Sequence, residues 1–383
     1  MSFGSWRDHF AEEEIVEALR ELVRLDTSNP PGNERQAAEV LCDIAAKLGL
    51  DAERVPLGDR RANAVIRLRG RRRDTALLFN GHLDTVPPGE AEWTFGPHSA
   101  DLVDGRLYGR GASDMKGGLI SMLYAMGLLR QEGIVPAGDI ILAATAGEEV
   151  DSLGARSFAR DGGLEKVAAA VIAEPTGMDV VVAEKGVLWL ELESRGKTAH
   201  GSRPDLGVNA ITGMMEVLVK LQGYQFTSDP HPHLTPPTLN IGTIRGGVKT
   251  NVVPDRCVAT VDLRTVPGMD HGMLLEDFRA LTSGADVSIE VLNDRPPVET
   301  PQDHPLVVAA VESGREVFGK RPVVRGAAYY TDASVFAPEG IPFVIVGPGL
   351  EEMAHQPDEY VSVASVLEAI DYYAHLAMRF LGT

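Results

Sequence analysis

LLFNGHLDTVP, residues 77–87, begins as an apolar run and breaks at Asn80-Gly81. The run reads as a buried strand and the break as its end. His82 and Asp84 follow directly. In strand-end geometry, residues two apart point the same way. An imidazole and a carboxylate therefore stand side by side at the mouth of a sheet. Proteins use such a pair to hold a metal-ligating imidazole in one tautomer. The same two residues would also suit a polar surface turn, and the rest of the chain has to decide.

Outward from this stretch, Ala64–Leu68 (AVIRL) reads as a strand, and 75–80 as the central one. Arg71, Arg72 and Arg73 between them read as a solvated hairpin tip. A short strand at 107–109 leads into GRGASDMKGG (109–118). Ile140–Thr145 is a buried strand ending in AGEE, and Ala168–Ile172 another ending in AEPTG. Apolar residues at helical spacing predict helices over 12–25, 34–48, 116–131, 305–317 and 362–380. DTSNPPGNE (26–34) stops the first of them. Phe343–Val346 reads as a strand ending in GPGLEEMAHQPDEYV (347–361). Apolar strands that end in acidic or imidazole side chains, with helices between, predict an α/β fold. Its sheet is mixed and mostly parallel, with functional groups at the carboxyl ends of the strands.

After Lys185 the pattern changes. Strands are predicted at 186–194, 238–245, 252–263 and 287–292, with helices at 209–221 and 272–281. The order βαββαβ is that of a ferredoxin-like α+β unit, read as an insertion. The expected division is 1–185 and 296–383 for one domain and 186–295 for the inserted one. His231 and His233, in the Pro-rich loop TSDPHPHLTPP (227–237), read as loop polar residues rather than ligands.

At 383 residues the chain exceeds what one core usually organises, so two domains are expected. A net charge of −19 argues against nucleic-acid and anionic-membrane partners, though not against a local basic pocket for an anion. The only cysteines, Cys42 and Cys257, are far apart, which excludes a disulfide framework and fits a cytoplasmic protein. MSFGSWRDHFAEEE has no apolar core, so no signal peptide is expected. No stretch approaches the roughly 18 apolar residues of a membrane span.

The strand-end residues form a set: His82, Asp114, Glu148, Glu149, Glu174 and His355. Imidazoles and carboxylates without thiolates suit a catalytic site for zinc or a similar divalent ion. Asp114 can bridge two ions through its two oxygens. His82 and Glu174 could complete one ion, and Glu149 and His355 the other. Three carboxylates and a hydroxide would balance two divalent charges. Glu148 is then left over, placed to act as general base.

GHLDTVP, GRGASDMKGG, TAGEE, AEPTG and AHQPDEYV together resemble the dizinc deacylase and exopeptidase family. That family includes acetylornithine deacetylase, succinyl-diaminopimelate desuccinylase, aminoacylases and glutamate carboxypeptidases. The resemblance covers nearly the whole chain, in order. It implies two Zn2+ per subunit, with Co2+ or Mn2+ as substitutes. His82, Asp114 and Glu174 would hold the first ion, and Asp114, Glu149 and His355 the second. Asp84 would orient His82, and Glu148 would be the base. The Asp114–Met115 peptide would be cis. KTAHGSRPDLGVNAI (197–211) resembles a lid motif whose His, here His200, reaches the scissile carbonyl. GGVKTNVVPD (246–255) and the DLR at 262–264 resemble carboxylate-binding parts, here Asn251 and Arg264. Thr331, in AYYTDASVF (328–336), would contact substrate. In relatives the lid domain pairs between subunits, which implies a homodimer.

The chemistry implied is metal-assisted hydrolysis of an N-acyl amino acid or short peptide with a free carboxylate. GPG followed by AHQPDEYV looks more like the acetylornithine deacetylase branch than the desuccinylase branch. Tyr329 and Tyr330 depart from both patterns. A dipeptidase or glutamate carboxypeptidase is the alternative within the family. A non-catalytic binding protein on the same fold is the alternative outside it, and it would require a broken site.

Overall fold

The computed structural model describes residues 4–382. The chain divides into two compact units: the second takes Ala183–Val298 and Gly326–Tyr330, and the first takes the other described residues.

The first unit is built on a mixed sheet. Across it run Asp51–Pro56, Ala62–Leu68, Asp139–Thr145, Ala76–His82, Val167–Ile172 and Phe343–Ile345. The last four are parallel to one another, and Ala62–Leu68 runs against Asp139–Thr145. Every residue of Ala76–His82 and of Asp139–Thr145 is buried. This is why they are near-continuous apolar runs rather than alternating ones: a parallel sheet is covered on both faces. Parallel pairing also brings His82 level with Thr145, so the strands end together.

Helices flank the sheet. Gly117–Gln131 packs against Val363–Leu381, and Val363–Leu381 against Pro305–Phe318. Gly117–Gln131 is buried from Gly117 to Leu129. Gly118 lets it approach the strand end closely, since a Cβ there would lie 2.4 Å from the Ala173 carbonyl oxygen.

Two expectations need correction. Strand Asp139–Thr145 lies between Ala62–Leu68 and Ala76–His82, so Arg71–Arg73 lie on a crossover and not at a hairpin tip. There Arg73 pairs with Asp139 at 3.2 Å and Arg72 with Asp74 at 2.9 Å. The strand expected from Val252 starts only at Arg256. Val252 and Val253 instead pair with Ala199 and His200, and Pro254 has no amide to extend a ladder.

The second unit contains strands Gly186–Arg195, Thr238–Gly246, Arg256–Thr265 and Val287–Arg295, in the sheet order 238–246, 256–265, 186–195, 287–295. All neighbours are antiparallel. Helices Ala210–Gln222 and His271–Thr282 complete the βαββαβ order. Leu188, Leu190, Leu192, Val261 and Leu263 face these helices and pack on Met214, Leu274 and Phe278. Alternate residues, among them Trp189, Glu191, Asp262 and Arg264, occupy the opposite face. No helix among the described residues is long and apolar enough to cross a membrane.

Candidate active site

His82 ends its strand, fully buried, with Nδ1 2.8 Å from the backbone oxygen of Asp84. That oxygen can only accept, so Nδ1 carries a proton and Nε2 is the free ligand atom. The Asp84 carboxylate is farther away, with Oδ1 at 3.7 Å. Its oxygens are engaged elsewhere. Oδ1 accepts the amides of Gly147 at 2.8 Å and Glu148 at 3.1 Å, and Oδ2 accepts that of Glu149 at 3.3 Å. Asn29 Nδ2 donates to Oδ2 at 2.9 Å. Asp84 thus orients His82 through its backbone and grips the Glu148–Glu149 turn through its side chain. Gly147 permits that turn: its φ is +87°, and a Cβ would meet Arg61 at 2.4 Å.

Asp114 lies between the two imidazoles. His82 Nε2 is 3.0 Å from Asp114 Oδ1, and His355 Nε2 is 3.4 Å from Asp114 Oδ2. His82 Nε2 is also 3.6 Å from Glu174 Oε1, and His355 Nε2 is 3.3 Å from Glu149 Oε2. His355, with φ +64°, reaches in from the loop after Phe343–Ile345 and stays half exposed. The Asp114–Met115 peptide is cis. Two sets of three ligand atoms lie within 4.8 Å of one another: His82, Glu148 and Glu174, and His82, Asp114 and Glu149.

The electrostatics show what the donor set lacks. Burial, reinforced by Glu174 and Glu149, holds the Glu148 carboxyl well above the usual range despite His82. Burial and the Asp114 charge raise Glu149, and raise Glu174 to about 8. Hydrogen bonds to Asp114 and Glu149 lift His355 to about 10. Burial would lower His82, but Glu174 and Asp114 carry its pKa well above the ordinary value. Alone, the cluster balances its carboxylates by retaining protons. Divalent cations would replace those protons, so the residues fit a metal centre.

Of the other expected residues, His200, Asn251 and Arg264 belong to the second unit and Thr331 to the first. His200 and Asn251 meet on adjoining segments of the second unit, where the Gly201 amide donates to the Asn251 oxygen at 2.8 Å. His200 is exposed. Arg264 is at the other end of its strand, with Nε 3.0 Å from Asp262 Oδ1. The eight residue steps from Arg256 to Arg264 span about 26 Å of strand, so Arg264 is far from Asn251 within one chain. Thr331 is buried, and its hydroxyl accepts the Ala333 amide at 3.0 Å.

Residues 78–379 match the family model for peptidase family M20/M25/M40. The chain belongs to this family. It is 28% identical over 403 residues to a probable succinyl-diaminopimelate desuccinylase of Staphylococcus epidermidis, covering 97% of this chain and 98% of the relative. It is 30% identical over 381 residues to the acetylornithine deacetylase of Vibrio parahaemolyticus, covering 96% and 98%. An M20 family metallo-carboxypeptidase of Sulfolobus solfataricus, Sso-CP2, shares the fold, with a TM-score of 0.81, 22% identity and coverage of 96% and 99%. M20 proteins are metal-dependent hydrolases of amide bonds, and this chain is one.

Sequence reasoning left three residues of this M20 site without a role. Asn29 lies in DTSNPPGNE, read only as a helix stop, yet it braces Asp84. Glu359, four residues after His355, accepts the amides of Ser113 at 2.9 Å and Asp114 at 3.0 Å. Arg110 holds Glu359 by an ion pair of 2.6 Å, both side chains being buried. Both acidic and basic partners stood inside the quoted motifs, but nothing in their spacing says that they meet.

Proposed function

We propose that this M20 enzyme removes an acyl group, acetyl or succinyl, from an N-acyl amino acid at a centre of two metal ions. The carrying observation is Asp114, with one oxygen toward His82 and the other toward His355. His82, Asp114 and Glu174 would hold one ion, and Asp114, Glu149 and His355 the other, with zinc as the ion that this nitrogen and oxygen donor set suits. Bound metal would polarise the amide carbonyl and make water a stronger nucleophile. Glu148 is left to handle the proton. It is buried, adjacent to Glu149, and fixed through its amide by Asp84. It takes the proton from the attacking water and returns it to the departing nitrogen.

His200 would steady the oxyanion, and Asn251 and Arg264 the substrate carboxylate. His200 Nδ1 accepts the Ser202 amide at 3.2 Å, so the proton sits on Nε2, ready to donate. Because His200 and Arg264 lie at opposite ends of one unit, one small substrate contacts both only if two chains contribute. Strand Thr238–Gly246 is an open sheet edge, and Val208, Met215 and Val219 beside it are more than half exposed. Such an edge favours pairing with a second copy, which supports a homodimer. Free Cys42 and Cys257 suit a reducing, cytoplasmic setting.

One panel tests this function: N-acetyl and N-succinyl amino acids and dipeptides, each with and without added zinc. Metal-stimulated release of amino acid from an N-acyl substrate is expected. Turnover confined to dipeptides would replace the deacylase with a dipeptidase or carboxypeptidase.

A further inference from the structure

Arg264, Val187 and Arg295 are paired directly across three adjacent strands of the second unit. Side chains at paired positions leave the same face of a sheet. Here it is the face away from the helices, because Leu188 and Leu263, the next residues in register, pack beneath them. The two arginines therefore project side by side, their backbones about 10 Å apart, two interstrand spacings.

Arg295 is 1% exposed, and none of its Nε, Nη1 and Nη2 has a hydrogen-bond partner among the described residues. The ring of Tyr330 lies 5.5 Å from its Cζ. That cation–π contact offers no acceptor for the guanidinium N–H groups. Nearby anions have other engagements. Asp262 binds Arg264 at 3.0 Å and Trp189 Nε1 at 2.9 Å, and Asp294 faces the helices and pairs with His271 at 2.6 Å. Lys185, 3% exposed, adds a third cation at the same end of the sheet, its Nζ donating to the Pro236 oxygen at 2.7 Å. Burying a guanidinium without an acceptor is strongly unfavourable. The position therefore suits an anion brought by a ligand.

We propose that Arg295 is a specificity residue that binds a second carboxylate of the substrate, so that the enzyme prefers N-acyl amino acids carrying an additional acid group. This rests on the amide-hydrolase function proposed above. Tyr330 then covers the guanidinium until that carboxylate replaces the ring contact. A planar guanidinium matches a carboxylate through two parallel hydrogen bonds, which a lysine cannot reproduce.

The test uses the metal-loaded enzyme and one amino acid in two forms, N-acetyl and N-succinyl, which differ by a terminal carboxylate. The wild type should show the lower KM for the succinyl form. Arg295→Met should narrow the ratio of the two KM values by roughly 10- to 100-fold, the scale of losing charge-assisted hydrogen bonds. Arg295→Lys should restore part of the ratio. A wild type that does not distinguish the pair, or variants that shift both KM values equally, would overturn the proposal and leave Arg295 a packing partner of Tyr330. The wild-type comparison stands even if Arg295→Met fails to fold. If neither amide is cleaved, the proposed function fails. Calorimetric titration of succinate and acetate into wild type and Arg295→Lys then still decides, with tighter succinate binding to the wild type expected and equal binding contradicting the site.

Discussion

The carboxylate of Asp84 accepts the backbone amide of Glu148 at 3.1 Å, and the same two oxygens take the amides on either side of it. The strand end that carries His82 thus also fixes the turn that carries the proposed base. Asp84→Asn removes one acceptor and puts an amide donor in its place. Buried N–H groups would then face another donor, at about 1–3 kcal/mol for each unsatisfied group. The turn should shift, and misplacement of a reacting group by about 1 Å costs roughly 10²-fold in rate. A fall in kcat of that order with metal content kept is expected, measured by steady-state kinetics beside elemental analysis. Unchanged kcat would show that the turn holds without Asp84.

Glu148→Gln keeps the shape of the side chain and removes the proton acceptor. It should bind metal as the wild type does and lose about 10²–10⁴ in kcat, the usual share of general acid–base catalysis. Wild-type turnover with full metal would transfer the base role to another residue.

How much of this was legible beforehand depends on range. Strands such as Ala76–His82 declare themselves because burial on both faces requires an unbroken apolar run. Asp51–Pro56 did not, since it is mostly exposed and mixes charge with apolar residues. The motif residues His82, Asp114, Glu149 and His355 could be grouped because each follows a strand or opens a helix, and they do converge. What could not be read was direction. Adjacent Asp84 was expected to turn its carboxylate toward His82, but three amides compete for it. Nor could the sequence say that Thr331, expected at the substrate, accepts the Ala333 amide through its hydroxyl. Asn29 and Glu359 are braces whose partners are distant in sequence, and no periodicity encodes that.

His355→Ala should remove one ion selectively. His82, Asp114 and Glu174 keep the first site, while the second loses its only imidazole. Metal content per chain should fall from two toward one. Loss of both ions by elemental analysis would contradict this division of ligands.

Arg110 and Glu359 make a stability prediction with a pH signature. Burial, with Asp114 adding to it and Arg110 opposing it, raises the Glu359 carboxyl from 4.5 to about 7. A carboxyl whose folded pKa exceeds its unfolded value costs stability as pH climbs from the unfolded value through the folded one. Arg110→Met removes the compensating charge and raises Glu359 further. Removing one member of a buried pair typically costs about 3–5 kcal/mol. The loss is expected to be larger at pH 8, where wild-type Glu359 is charged and paired with Arg110, than at pH 5.5, where it is protonated in both proteins. Urea denaturation of wild type and variant at both values checks this. A loss independent of pH would mean that Arg110 acts by packing alone.

His200 lies in the second unit, outside the sheet that carries the metal cluster. Its Nδ1 is occupied by Ser202, which leaves Nε2–H as the donor. If that donor steadies the oxyanion, it must come within about 3 Å of it in the reacting state. His200→Ala should then lower kcat by roughly 10²–10³, the usual cost of one such donor, with metal content unchanged. If His200 and Arg264 contact one small substrate, their separation within one unit requires donation across a dimer. Mixing inactive Glu148→Gln chains with inactive His200→Ala chains should therefore restore activity, because a mixed dimer holds one site with both groups intact. Subunit exchange verified by native mass spectrometry, without recovered turnover, would place His200 and Glu148 of a site on one chain or remove His200 from the reaction.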